Sequence, residues 1–197
     1  MQIERFDHGL DLAKPTASYV RSPGVHASDL YNALFQEIDA ARYDKRDPAT
    51  GDPLPPDATK MELGISFEEV LERVLAERLF GLAERLGEFR SPENVIYTPD
   101  HLFYDQPELE LGEFKCTWYS AKYAPLDKRF DKWWCQMKLY AYWLKIRRAR
   151  LYALFVNGDY KPPTPQLLAW RVQFTERELE ANYQMVMRFA RRKGLLP

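Results

Sequence analysis

Cysteine is scarce in this chain. Only Cys116 and Cys135 occur among 197 residues, whereas an iron–sulfur cluster normally takes four cysteine ligands and a structural zinc takes four Cys or His ligands. His8, His26 and His101 are scattered and show no ligand spacing. An iron–sulfur cluster and a structural zinc are therefore excluded. Both cysteines stand in apolar, aromatic company and are expected as free buried thiols. An excess of one charge is also lacking. The formal net charge is −1, so no global field draws the chain to nucleic acid, and any such binding must come from local patches. Two patches stand out: Lys145, Arg147, Arg148 and Arg150, then Arg188, Arg191, Arg192 and Lys193. Each reads equally as a solvated helix end, where cations suit the helix macrodipole. No apolar run reaches membrane-spanning length, and the segment MQIERFDHGL has no signal-peptide apolar core. A cytoplasmic protein without a membrane partner is expected. Internal repeats and low-complexity tracts are missing as well.

What is present suits one domain with a full core: 46% hydrophobic residues, 29% charged, and 14% aromatic with five Trp. Residues 1 to 25 carry few periodic signals. From 28 to 43 Leu30, Ala33, Leu34, Ile38 and Ala41 make an apolar stripe, with Ser28 as N-cap. Residues 44 to 60 hold four prolines and no periodicity, a loop. The clearest helix covers 61 to 86, where Val70, Leu71, Val74, Leu75, Leu79, Leu82 and Leu86 recur at three and four, and Ser66 with Glu69 has capping-box spacing. Strands are expected at 94 to 104 and 109 to 118, a second long helix at 130 to 148, strands at 150 to 158 and 167 to 174, and a last helix from the Thr175/Glu178 capping box to Lys193, stopped by Gly194. The order helix, strand, strand, helix, strand, strand, helix predicts an α/β fold, a central mixed sheet flanked by helices. Residues 1–60 are expected as an N-terminal helical extension and loop, and 61–193 as the core of a single domain spanning 1–197.

The chemistry concentrates in NVIYTPDHLFYD (94 to 105) and LELGEFKCTW (109 to 118). Strand side chains alternate, so Glu113 and Lys115 share a face. A chain of this composition holds about 1.6 acid-x-Lys triplets by chance. This one holds two. Asp159-x-Lys161 follows Asn157-Gly158 and precedes Pro162, a turn. Glu113-x-Lys115 has two readings: a salt-bridged exposed strand face, or an interior pair that needs a partner or a metal to offset burial. Asp100 follows Thr98-Pro99. It is either a turn residue or, if an antiparallel hairpin joins its strand to that of Glu113, a second carboxylate at the same place. Glu68 lies at the edge of the apolar face of the 61–86 helix, near Leu71 and Leu75, whereas Glu69 points away. It is a helix-borne acid leaning inward or a boundary glutamate reaching water. Gln136 and Tyr140 are four apart and share a helix face. They offer hydrogen bonds to an acid, to Lys115 or to a phosphate, or form a polar rim to the core. Trp133, Trp134, Tyr142 and Trp143 are core rings or base-stacking rings. Two carboxylates and an amine converging at a strand edge would suit Mg²⁺ and a phosphodiester.

Taken in order, Glu68 in GISFEE, Asp100 in TPD, Glu113-Phe114-Lys115, and Gln136 with Tyr140 resemble the PD-(D/E)XK nuclease superfamily, and most closely its RecB-like and phage-type exonuclease branch. The matched stretch runs from 64 to 140. The cysteines of iron–sulfur-bearing relatives are absent, and so is the glycine many RecB-like members carry near the aspartate. The resemblance implies a restriction-endonuclease-like core and a deoxyribonuclease. Glu68, Asp100, Glu113 and the carbonyl of Phe114 would hold Mg²⁺ or Mn²⁺, and Lys115, Gln136 and Tyr140 would complete the catalytic set. It implies DNA as partner, in a bacterial or phage-infected cytoplasm, in recombination, repair or phage DNA processing. Some relatives form rings or work beside a recombinase, a helicase or a strand-annealing protein, which leaves homo-oligomers and protein partners open. With no separate base-reading domain in view, end-processing is expected over sequence-specific endonuclease action, and a non-cleaving binding module with this fold is the other alternative.

Overall fold

The computed structural model describes residues 2–6, 22–43, 49–51, 63–67, 69–70, 73, 87–104, 107–161 and 163–197. Its strands are β1 (Gln2–Phe6), β2 (Phe89–Arg90), β3 (Ile96–Tyr97), β4 (His101–Phe103), β5 (Glu110–Thr117), β6 (Arg148–Phe155) and β7 (Gln166–Gln173). The α-helices with defined ends are α1 (Ala27–Ile38), α2 (Ala40–Tyr43), α3 (Asp131–Leu144) and α4 (Glu176–Arg192). Five strands make one sheet in the order β1-β7-β6-β5-β4, and β2 and β3 form a separate ribbon. β5 and β6 run parallel; the other neighbours in the large sheet are antiparallel. Parallel neighbours need a crossover, and α3 supplies it. The fold is the mixed α/β sheet flanked by helices that the pattern of elements predicts.

Both faces of the sheet are covered, which is why β5 and β6 are buried almost end to end. On one face Leu111, Leu151, Ala153, Phe155, Trp170 and Val172 meet α1, α3 and α4 in the main core. On the other, Phe103, Phe114, Tyr152, Leu154 and Ala169 form a smaller cluster with Phe67, from the helical residues 63–67. The aromatic rings of α3 pack in or against the core. Trp133 packs against Phe130 with ring centroids 4.7 Å apart, and Trp143 against Tyr97 at 4.8 Å. Tyr142 stacks on Tyr183 at 4.1 Å, and the Trp134 indole donates to the Pro125 carbonyl at 2.8 Å.

Several elements differ from the sequence reading. β1 lies in the stretch that showed no periodicity; an edge strand five residues long, QIERF, alternates too briefly to register. The strand expected over 94–104 is broken into β3 and β4 around Thr98-Pro99-Asp100, because proline cannot donate to a ladder. α1 starts one residue before Ser28. Its N-cap is His26, whose backbone N–H donates to the Asp29 carboxylate at 3.0 Å. Ser66 is buried within the helical residues 63–67, so Ser66 and Glu69 do not open that helix. Leu71, Val74, Leu75, Leu79, Leu82 and Leu86 lie outside the described residues. α3 stops at Leu144, where Lys145 adopts a left-handed conformation (φ 57°), and β6 begins two residues sooner than expected. The Thr175/Glu178 capping box is present: the Glu178 N–H donates to Thr175 Oγ1 at 3.2 Å and the Thr175 N–H to Glu178 Oε2 at 2.9 Å.

Candidate active site

β5 carries the site. Glu113 and Lys115 share the face that looks toward α3 and α1. Glu113 is completely buried. Its Oε1 accepts from the Lys115 ammonium and from Gln136 Nε2, the latter at 2.5 Å. Its Oε2 is buried with no hydrogen-bond partner among the described residues. Burial, and then the charge of Asp100, push the Glu113 carboxyl up to about 8, against the pull of Lys115. Burial opposes charge on Lys115 too. The surrounding Glu113 and Asp100 outweigh it and hold the ammonium well above the usual amine range.

Asp100 reaches this place by register. β4 pairs with β5 so that His101 faces Gly112, and one step further back Asp100 stands across from Glu113. Its Oδ2 accepts from the Phe114 N–H at 2.7 Å, which ties the Pro99 bend to the middle of β5. Gly112 is required for this approach. A Cβ there would sit 2.5 Å from Phe103 Cε2 and 3.1 Å from His101 Cβ, and Phe103 is fully buried with little room to give.

α3 brings Gln136 and, one turn on, Tyr140 to the same centre. Tyr140 is buried and its phenol is hydrogen-bonded to that of Tyr31 on α1. Burial raises the phenol pKa of both. Tyr31 also interacts electrostatically with Lys115, Glu113 and Asp100. The sequence motifs do not include it. Its signal is a hydroxyl set on an apolar helix stripe, between Leu30 and Leu34. The structure thus gathers Asp100, Glu113, Lys115, Gln136 and Tyr140, with Phe114 between the two β5 groups. Glu68 lies outside the described residues. Among the described residues no three His, Cys, Asp or Glu side chains form a ligand cluster.

The remaining candidates fall elsewhere. Asp159 and Lys161 make an exposed turn, the Lys161 N–H donating to Asp159 Oδ1 at 3.0 Å. The first basic patch is not one surface. Arg150 is buried and bonded to Glu110 under the sheet, Arg148 pairs with Glu108 at 3.1 Å, and Arg147 pairs with Glu176 at 3.3 Å. Of the second patch, Arg192 and Lys193 pair with Glu37 on α1. The thiols are free. Burial lifts Cys116 to about 11 and Cys135 to about 12, which leaves both unreactive. No helix among the described residues is long and apolar enough to cross a membrane.

A carboxylate pair, an ammonium and an amide on adjoining strands and a crossover helix invite comparison with known structures. The chain shares its fold with an exonuclease. An alkaline exonuclease from Laribacter hongkongensis, LHK-Exo, superposes with a TM-score of 0.54 over 86% of this chain and 87% of that one, at 18% identity. LHK-Exo in complex with dAMP gives the same TM-score and coverage at 16% identity. The structure of SSO0001 matches with a TM-score of 0.50 over 89% of this chain and 80% of that one, at 14% identity. No family model matches the sequence, and no curated protein matches it either. The likeness is one of fold, carried by tertiary structure where sequence identity has fallen away.

Proposed function

We propose that this chain is a metal-dependent deoxyribonuclease of the PD-(D/E)XK superfamily, acting as an exonuclease on DNA ends in recombination, repair or phage DNA processing. One observation supports this above the others. A carboxylate with an unpartnered buried oxygen, Glu113, sits across a strand pair from Asp100 and beside a charged lysine. Leaving such an oxygen unsatisfied is costly unless a proton or a cation completes it, and a bound divalent ion would take the place of the proton. The oxygen donors Glu113, Asp100 and the Phe114 carbonyl, with Glu68 as the further acid, suit Mg²⁺ or Mn²⁺, which keeps several waters and needs few carboxylates. When bound, the ion would supply Lewis acidity and a more acidic water. Lys115 would hold the attacking water and offset charge growing on the phosphate. Gln136 and Lys115 engage Glu113 Oε1, which would leave Oε2 as the oxygen available to the ion. Tyr140, braced by Tyr31, lines the same centre and orients Lys115 or the scissile phosphate.

The exonuclease reading draws on the fold neighbour, an exonuclease that was crystallised with dAMP, a deoxynucleoside monophosphate of the size that end digestion releases. The test is incubation with linear and with circular duplex DNA, in Mg²⁺ and in EDTA. Loss of linear DNA alone, and only with Mg²⁺, is expected. Cutting of circles would make the chain an endonuclease. Binding in Ca²⁺ without cleavage in Mg²⁺ would make it a non-cleaving module, and digestion in EDTA would remove the metal from the reading.

A further inference from the structure

Lys132, in the first turn of α3, holds its ammonium 5.9 Å from the Tyr31 ring centroid and 5.4 Å from that of Tyr43. Tyr31 is the phenol that touches Tyr140 and feels Lys115, so Lys132 stands one ring away from the centre just described. Tyr43 ends α2, half-buried, edge-on to Phe35 at 5.5 Å. Its phenol also feels that of Tyr119 electrostatically. Tyr119 follows Lys115 by four residues, rests edge-on to Phe130 at 6.1 Å and is 38% exposed. The loop that carries it is tied to α2 by Arg42, which donates to the Lys128 carbonyl at 3.3 Å. Three acids lie on this surface: Asp39 pairs with Arg42 at 3.2 Å, Asp127 pairs with Arg129 at 3.0 Å, and Asp131, next to Lys132, interacts with Arg42 and Asp127. Lys132 and Tyr43 thus stand on the far side of the Tyr31 ring from Lys115, and Tyr119 follows Lys115 along the same stretch of chain.

An ammonium beside partly exposed rings is a composition by which proteins hold unpaired strands: the cation takes a phosphate, and an exposed ring offers a stacking face that paired bases do not present. Building on the nuclease reading, we propose that Lys132, Tyr43 and Tyr119 form a track for the unpaired DNA strand next to the scissile phosphate, with Lys132 on a phosphate and the two tyrosines under bases.

The measurement is anisotropy of a dye-labelled single-stranded oligodeoxynucleotide in Ca²⁺, paired with Mg²⁺ cleavage kinetics. Tyr119→Ala and Lys132→Ala each weaken binding by about tenfold, and Tyr119→Phe, which keeps the ring, binds as the parent does. Lys132→Ala also flattens the slope of log affinity against log salt by about 0.7, the loss of one single-strand phosphate contact. The effect falls on KM, with kcat within about twofold of the parent. As a check that needs no substitution, a strand bearing 5-bromodeoxyuridine crosslinks on irradiation to Tyr43 or Tyr119. Parent-like affinity in both alanine variants, or crosslinks only on other faces, overturns the track while leaving the nuclease reading in place. A parent chain that neither binds nor cuts DNA overturns both.

Discussion

At the scale of single residues, the proposed nuclease reading assigns action to two groups and leaves most others to hold the fold. Under it Lys115 and Asp100 are the acting groups. Lys115→Ala and Asp100→Ala are each expected to abolish Mg²⁺-dependent cleavage while the far-ultraviolet circular dichroism stays that of the parent; full activity in either variant would remove the assignment. Glu113 adds a pH dependence whose sign is fixed by its raised pKa. Between its ordinary value of 4.5 and about 8 the folded protein keeps a proton on Glu113 that the unfolded chain has lost, so metal-free stability falls as pH rises through that window. Lys115, raised in the folded state, stays charged throughout the window and contributes no slope there. Melting temperatures measured without metal from about pH 5 to pH 8 should decline, Glu113→Gln should flatten the decline, and Mg²⁺ near pH 8 should raise the melting temperature of the parent but not of that variant. That Lys115 and Glu113 share a face was legible in the sequence because alternation along a strand is a local rule. Tyr31 was not, because a phenol on an apolar stripe looks like any core aromatic until α3 brings Tyr140 against it.

At the scale of elements, β5 is the member on which the rest depends, and its two faces do different work. The face toward α3 carries Glu113 and Lys115. The opposite face carries Glu110, bonded to Arg150 of β6, with the guanidinium of Arg150 lying 4.4 Å over the Phe103 ring. This pair reads in sequence as part of a basic patch, since Arg148 and Arg150 stand near Lys145 and Arg147; the strand turns Arg150 inward, where nothing outside the protein reaches it. Removing one partner of a buried pair strands the other charge. Glu110→Ala is therefore expected to destabilise the fold by about 3–5 kcal/mol in denaturant titration, whereas Glu110→Leu with Arg150→Met, which removes both charges, should come close to the parent. Equal losses in the single and double variants would show that the packing, and not the charge, matters there.

At the scale of the whole molecule, α1 is part of the core. Leu30, Leu34 and Phe35 are buried beside α3 and α4, and burial of three such side chains contributes about 5–9 kcal/mol, comparable to the net stability of a typical domain. A chain lacking residues 1–43 should lose its cooperative melt as well as its activity, and a truncated chain that melts like the parent would show α1 to be an appendage. The amino-acid order by itself determined the helix and strand succession from about residue 109 onward, the placing of Glu113 and Lys115 on one strand face, and that of Gln136 and Tyr140 on one helix face, because each rests on a period of 2 or 3.6 residues that neighbours along the chain express. Tertiary structure alone decided that β1 closes the sheet edge, that Asp100 stands across from Glu113 over the glycine at 112, that Arg150 is interior, and that Tyr31 braces the site. Those facts depend on which distant segments come into register, and register is settled by packing and by steric fit between strands, which no local pattern encodes.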